Sequence, residues 1–506
     1  MEKKYCEFLD EISADDLYEG LLGYGMFADK LPPVFTSKVF LDYCEAENPV
    51  FSNKDWHGYV TFSAMRNTNI PRLFGIPTPM KYERLCTTLK ENWNNIKAHF
   101  HSQTDELTYR ISRIHLRKMH DSNSLFEMNY KNWRVDGNPE TDLLFSNHSA
   151  SKYIVKADIS TCFPSIYTHA LPWAFVGRTV AKETRNDESL WYNKIDAACS
   201  SLKDGETHGL LIGPHTSNLL SEVILTCVDH KLYDLGYRYI RNIDDYECYA
   251  DSYEGTQMFL RDLEETLREY DLPLNHKKTT IKQLPLAVTE NWIHKLNGML
   301  NSSKENLTFP EINAFLDLAV RLSTDVGDSA ILKYAIKSLS GHSMTANARK
   351  YGAQRIMHLA ILHPYLLQFM DEFVFAPFGV GVESIRVFAD AVYAESKRVN
   401  NYEAICYAIY FSLKHGFQLE ELDIDWVIKH GDCILLLLTW KYYLKLNYGN
   451  SRATQLKPLK AEAKKLKSTD MDRYWLFCYE VLSADNLHEE WKGLKRAGVS
   501  FIKTEL

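Results

Sequence analysis

Three short β-prone runs, YIVKADI (153–159), RYIRNID (238–244) and ECYAD (247–251), are interleaved with two long helix-like stretches, SNLLSEVILTCVDHKLYDLG (217–236) and GTQMFLRDLEETLREYDL (255–272). This alternation constrains the fold more than any other feature, because period-two runs and runs with apolar residues three and four apart cannot exchange roles. A mixed sheet flanked by helices is therefore predicted from about 151 to 290. Residues 1 to about 150 mix short helical patterns with turn signals such as NIPRLFGIPTP (Asn69 to Pro79), whose prolines force extended backbone before each ring. That part reads as α+β. After about Phe309 strand signals vanish, and INAFLDLAVRLST, SAILKYAIKSLSG and EAICYAIYFSLKHG carry apolar residues at helical spacing. An α-solenoid or irregular helical bundle is expected there. The change of character is placed between Lys295 and Phe309, where LNGMLNSSKENLTFP brings Asn, Ser, Gly and Pro together, giving parts 1–150, 151–300 and 301–506.

The middle part also carries the chemistry. An apolar strand delivers Asp158 at its end, before a turn containing Pro164, and Asp244 and Asp245 sit side by side between two β-prone runs in a hairpin-like setting. Phosphoryl transfer from a nucleoside triphosphate needs chiefly positioning and charge stabilisation, supplied by two Mg²⁺ ions about 4 Å apart. Mg²⁺ takes hard oxygen ligands, so carboxylates from separate strands suffice, with Asp158 and Asp244 as bridging ligands. A lone Asp-Asp pair is usually a solvated turn, and a lone Asp after a strand is more often a helix cap. Order and spacing carry the reading.

On those residues the chain resembles the reverse transcriptases over about 60 to 295. ADISTCFPSIYTH is similar to their motif A, with the metal-binding acid at Asp158 and the steric-gate aromatic, which selects deoxynucleotides, at Phe163. GLLIGPHTSNLLSEVILTCVDHKL resembles motif B, with Gly213 allowing close approach of backbone to a base or sugar and Ser217 able to cap the following helix. RNIDDY resembles motif C, with Asn242 in the usual aromatic position, and LNHKKTTI resembles motif D, with Lys278 facing the pyrophosphate. NIPRLFGIPTPMKYERLCTTLKENWNNI is similar to the fingers segment, which makes Arg72, Arg113 and Arg117 triphosphate or template contacts. The implied metal ligands are Asp158, Ile159, Asp244 and Asp245, holding two Mg²⁺ ions with Mn²⁺ as a substitute.

The long helical C-terminal part resembles the abortive-infection and defence-associated reverse transcriptases of bacteria. The fold this implies is an α+β palm and fingers followed by an all-α, HEAT-like helical-repeat domain in place of a typical thumb. The implied role is anti-phage defence by single-stranded DNA synthesis from dNTPs, primed from a protein tyrosine and either untemplated or copied from a partner non-coding RNA. A product covalently attached to the protein and a homo-oligomer, a trimer or hexamer, belong to the same expectation. Among the thirty tyrosines, Tyr5, Tyr24 and the C-terminal ones stand as priming residues without a choice between them.

A net charge of −8 argues, taken alone, against a nucleic-acid binder, and together with Asn242 it favours the alternative of a degenerate polymerase fold serving as a protein- or RNA-binding scaffold. Distribution matters more than the sum. From Lys81 to His120 eight basic residues face four acidic ones, a local +4, and from Arg452 to Lys467 six face Glu462 alone, a local +5. The first patch is expected to face a phosphate backbone, and the second to be a solvated helix face or a path for single-stranded product. The first thirty residues lack the apolar core of a signal peptide, and the longest apolar run, Cys433 to Trp440, is too short for a bilayer, so a cytoplasmic protein without membrane contact is expected. Ten cysteines without paired spacing predict buried thiols rather than a zinc site or disulfides.

Overall fold

The computed structural model describes residues 4–52, 58–65, 71–113, 115–116, 125–127, 151–286, 290–301 and 306–504. Strands β1 (Tyr59–Met65) and β2 (Pro71–Pro77) form an antiparallel hairpin, and the two-residue strands β3 (His115–Leu116) and β4 (Phe126–Glu127) pair with each other. The two prolines bounding β2 sit at the ends of the ladder, where a missing N–H disturbs it least. The central sheet is antiparallel, built from β5 (Tyr153–Asp158), β6 (Arg238–Asn242), β7 (Asp245–Ala250) and β8 (Thr280–Gln283) in the spatial order β6-β7-β5-β8. The predicted strand-like runs fall on β5, β6 and β7.

The two helix-like stretches form helices His215–Asp234 and Tyr253–Arg268. The second is amphipathic: Thr256, Phe259, Leu263 and Leu267 face inward, and the Ser252 hydroxyl caps it by accepting from Gly255 N–H at 3.1 Å. The first is buried on nearly every side, Glu222 and Asp229 included. Two buried carboxylates in one helix require partners.

No sheet strand follows Gln283 among the described residues. Helix Asn291–Asn301 already belongs with the helical part, since Trp292 stacks edge-on to Tyr334 and the Tyr334 hydroxyl donates to Asn297 at 2.7 Å. The change of character thus begins before Lys295, in the segment after Gln283. Helix Phe309–Val326 starts with a Thr308/Glu311 capping box and stops at Gly327, whose φ of +72° suits the left-handed stop. Asn401 caps Tyr402–His415 and Asp432 caps Cys433–Leu446. The apolar run Ile434 to Leu438 is fully buried, a core helix. Among the described residues no helix is long and apolar enough to cross a membrane. All ten cysteines are free thiols, nine of them buried.

The helical part closes back on the β1–β2 hairpin. Trp475 donates to the Ile76 carbonyl at 3.4 Å and packs among Trp491 and Phe501, and Ile502 bridges to Phe35. Glu403, 4% exposed, accepts from Met65 N–H at the other end of the hairpin. Burial pushes its carboxyl up to about 7, against the opposing pull of that N–H and of Lys30. The folded protein therefore holds a proton that the unfolded chain releases above its ordinary value of 4.5, so stability falls as pH rises through that window and levels off above about 7. Relative to Glu403→Gln, the wild type is expected to lose on the order of 1 kcal/mol per pH unit across the window, read from urea unfolding at pH 5, 6, 7 and 8. Parallel curves for the two proteins would refute it.

The expected phosphate-facing patch does not form a single exposed surface. Lys81 is buried on helix Pro79–Glu91, which packs into the core, and Lys90 on the same helix pairs with Asp15 at 2.7 Å; Arg110 and Arg113, beyond helix Trp93–Thr104, are buried in a segment held against β6, where Arg113 N–H donates to the Arg241 carbonyl at 2.7 Å. Arg117 and Lys118 lie outside the described residues. The second basic run lies largely on helix Lys457–Thr469, whose Leu459 and Ala463 face the core while Lys457, Lys464 and Lys465 are exposed.

Candidate active site

Cross-strand register brings the acids together. Asp158, the last residue of β5, pairs directly with Asp245, the first residue of β7. Strands β6 and β7 are joined by a two-residue turn, Ile243-Asp244, closed by the pair Asn242 and Asp245. Such tight turns want φ > 0 at the first position, which Gly or Asn usually supplies. Here Ile243 adopts φ +58°, a left-handed conformation that costs a β-branched residue about 1–3 kcal/mol. Just beyond β5, Thr161 is left-handed as well, at +47°. Strained backbone flanks the acids on both strands, and each strand end is tied down: Ile159 N–H donates to the Asp244 carbonyl at 3.1 Å, and Asn275 N–H to the Asp158 carbonyl at 2.7 Å.

Like charges at this spacing resist joint ionisation. Burial, then Asp244 and Asp158, push the Asp245 carboxyl up to about 6. Burial and Asp158 likewise raise Asp244, while Lys278 and Arg72 pull it down. The Lys278 ammonium forms an ion pair with Asp158 Oδ2, which raises the lysine in turn. Asp158, Asp245 and Lys278 face a cavity of about 450 Å³ whose lining also includes Arg113, Lys156 and Asn242. An acidic set of hard oxygen donors, held beside one ammonium and destabilised by its own charge, fits a divalent cation. Asp158, Asp244 and Asp245 would hold it, and the cation would polarise a phosphoryl oxygen and activate a hydroxyl.

The remaining expected residues divide. Arg72 is exposed on β2 and acts electrostatically on Asp244, and Arg113 lines the cavity although it is 6% exposed. Phe163 is half-buried on the short helix Cys162–Ser165 that follows Asp158 and, like Asp244, lies outside the cavity's lining. Ile159 has a fully buried side chain, leaving only its backbone to offer a metal.

Two motif B expectations need correcting. Gly213, at φ +130°, does allow a close approach, but to protein: a Cβ there would lie 3.2 Å from Ala28 Cβ and 3.3 Å from the Gly75 carbonyl. Ser217 is not the helix cap. The capping position is Pro214, and Ser217, 4% exposed, donates to the Leu211 carbonyl at 2.7 Å. Burial removes it from substrate. Lys278 lines the cavity with its ammonium paired to Asp158.

Other elements escaped sequence reasoning. Gly209, at φ +89°, would place a Cβ 2.8 Å from the Pro164 carbonyl, so only glycine lets the motif B loop dock on the motif A turn; its position before LLIG was the available signal. Among the described residues, Cys6, His101 and Asp105 form the one group of three metal-type ligand atoms within 4.8 Å of each other, so the three acids are not drawn into so tight a cluster. Hydrogen bonds account for the Cys6 group: His101 lies between Asp10 and Asp105, and Cys6 meets Thr104 at 2.9 Å. Spacing along the chain gave no hint of it.

Residues 107–308 match the family described as reverse transcriptase (RNA-dependent DNA polymerase). The chain contains a reverse transcriptase domain. That domain is an RNA-directed DNA polymerase, an enzyme of the nucleotidyltransferase kind, and such domains use divalent metal ions. No curated protein matches the sequence. Among solved structures, a Candida tropicalis telomerase truncated from its C-terminal domain is 14% identical, covering 50% of this chain and 56% of its own, at a TM-score of 0.33. The apo telomerase of Candida tropicalis is 11% identical over 87% and 77%, at 0.34. Candida albicans telomerase, solved with a fragment of telomeric RNA, is 12% identical over 91% and 73%, at 0.32. The chain therefore spans little more than half the length of the first of these, and the reverse transcriptase assignment rests on the family match.

Proposed function

We propose that this reverse transcriptase domain polymerises dNTPs into single-stranded DNA on two Mg²⁺ ions held by Asp158, Asp244 and Asp245, with Ile159 contributing its carbonyl. The observation that carries the reading is the cross-strand pairing of Asp158 with Asp245, both lining a cavity that also presents Lys278 and Arg113, with Asp244 in the adjoining turn. The cellular role we propose is anti-phage defence, primed from a protein tyrosine and either untemplated or copied from a partner non-coding RNA, in a cytoplasmic homo-oligomer, a trimer or hexamer, with a HEAT-like helical part in place of a typical thumb. Support for that finer reading is the sequence resemblance and the helical C-terminal part. Tyr5 drops out as primer, because it is buried and its hydroxyl donates to Glu222 at 3.0 Å. Exposed tyrosines such as Tyr24 and Tyr448 satisfy the requirement for access.

Purified protein incubated with labelled dNTPs and Mg²⁺ is expected to give DNA that shifts with the protein on a denaturing gel and is released by protease. Free DNA that forms only with an annealed primer would refute protein priming; absence of any product, with co-purified RNA retained, would refute the enzyme. Sequencing the co-purifying nucleic acid distinguishes a template from none. Phe163→Val is expected to raise ribonucleotide use about tenfold or more, since removing a ring that clashes with the 2′-OH changes discrimination by at least 1–3 kcal/mol. Unchanged discrimination between dNTP and rNTP would remove Phe163 from the gate.

A further inference from the structure

Directly beneath the motif C turn lies Arg241, a residue of β6 with no exposed surface. A buried guanidinium must satisfy five N–H groups and one charge. Asp229 accepts from Nε at 3.0 Å and from Nη2 at 2.6 Å. Glu222 accepts from Nη1 at 2.7 Å and from Nη2 at 3.3 Å. The second N–H of Nη1 donates to the carbonyl of Ile243 at 2.9 Å. All five donors are used, and the last holds the left-handed residue immediately before Asp244.

The two carboxylates are themselves anchored. Both project from helix His215–Asp234, and Asp229 also accepts from the Tyr239 hydroxyl at 3.0 Å. Glu222 Oε2 also accepts from the Tyr5 hydroxyl at 3.0 Å and the Ser112 hydroxyl at 2.9 Å. The backbone of Arg241 is pinned as well, its N–H donating to Ile111 at 2.9 Å and its carbonyl accepting from Arg113 N–H at 2.7 Å. One cation thus joins the N-terminal helix, the segment 111–113 and the motif B helix to the turn that carries two acids.

Resting on the reading of this site as a metal-dependent polymerase, we infer that Arg241, clamped between Glu222 and Asp229, is a positioning residue that fixes the strained Ile243-Asp244 turn for metal binding. Burial obliges the fifth donor to find an acceptor, and the acceptor this fold supplies is a backbone carbonyl of the turn itself, at 2.9 Å. A lysine would keep the charge but could not fork to two carboxylates and a carbonyl at fixed angles. Tyr5 and Ser112 hold Glu222 against the guanidinium, which makes the N-terminal helix a support of the catalytic turn.

The test compares wild type with Arg241→Lys, and with the milder pair Tyr5→Phe/Ser112→Ala, in the full chain. Free Mn²⁺ is followed by electron paramagnetic resonance, folding by circular dichroism, and dNTP incorporation as a function of Mg²⁺. Folded Arg241→Lys is expected to bind Mn²⁺ about tenfold or more weakly, the range for loss of a group that orients a metal ligand, with incorporation restored by excess metal. If that variant does not fold, the double variant decides, with an expected several-fold weakening. Unchanged Mn²⁺ affinity in the folded variant overturns the inference while leaving the polymerase reading intact. Folded wild type that neither binds Mn²⁺ nor incorporates dNTPs overturns that reading and the inference with it.

Discussion

Asp244→Ala and Asp245→Ala are each expected to lower dNTP incorporation by roughly a thousandfold or more, because on the proposed reading each removes a ligand from ions that would supply several kcal/mol to the transition state. Neither variant should unfold the protein. Asp245 is exposed and crowded by two like charges that raise its carboxyl to about 6, so its removal relieves repulsion rather than deleting a stabilising contact. Asp244 is raised for the same reasons, and its carbonyl, not its side chain, receives the Ile159 N–H. Melting temperature and incorporation should therefore part company: stability level or higher, activity gone. Product made at the wild-type rate by both variants would remove these acids from the chemistry, whereas phage protection that survives their loss would support a scaffold built on a degenerate polymerase fold.

Trp475→Ala is expected to destabilise the protein by about 3–5 kcal/mol, the usual range for emptying a buried aromatic site. Trp475 has no exposed surface, stacks on Trp491 at 5.4 Å between ring centres, and meets the edge of Phe501 at 5.2 Å. Its indole N–H also reaches the Ile76 carbonyl on β2. Next along β2, Gly75 N–H donates to the Ile212 carbonyl, at the doorway of motif B. Loss of this tryptophan is thus expected to loosen the hairpin as well as the helical part. Urea unfolding measures the first effect, and amide exchange in β1 and β2 the second. A loss below about 1 kcal/mol, with β2 protection unchanged, would mean that the helical part does not brace the hairpin.

Local pattern sufficed where the physics is local. Alternation placed β5, β6 and β7, helical spacing placed the helices from Phe309 onward, and the position of Asp158 at a strand end put it where a neighbouring strand could present Asp245. Burial was the blind spot. Ser217 carried the type of a cap but lies inside the packed protein, because a residue's surroundings depend on what other segments bring to it.

The sequence by itself determined the order of elements, the placing of Asp158 at a strand end and of Asp244 and Asp245 at a hairpin turn, and the helical character of the described residues from Phe309 onward, since each follows from side-chain type and short-range periodicity. Only the tertiary structure decided how those acids are held. Arg241, Glu222 and Tyr5 are unremarkable as letters, and the contact that joins Tyr5 to Glu222 spans 217 residues. A buried ionic network of this kind exists only once packing has excluded water from around it, and that is a property of the folded chain.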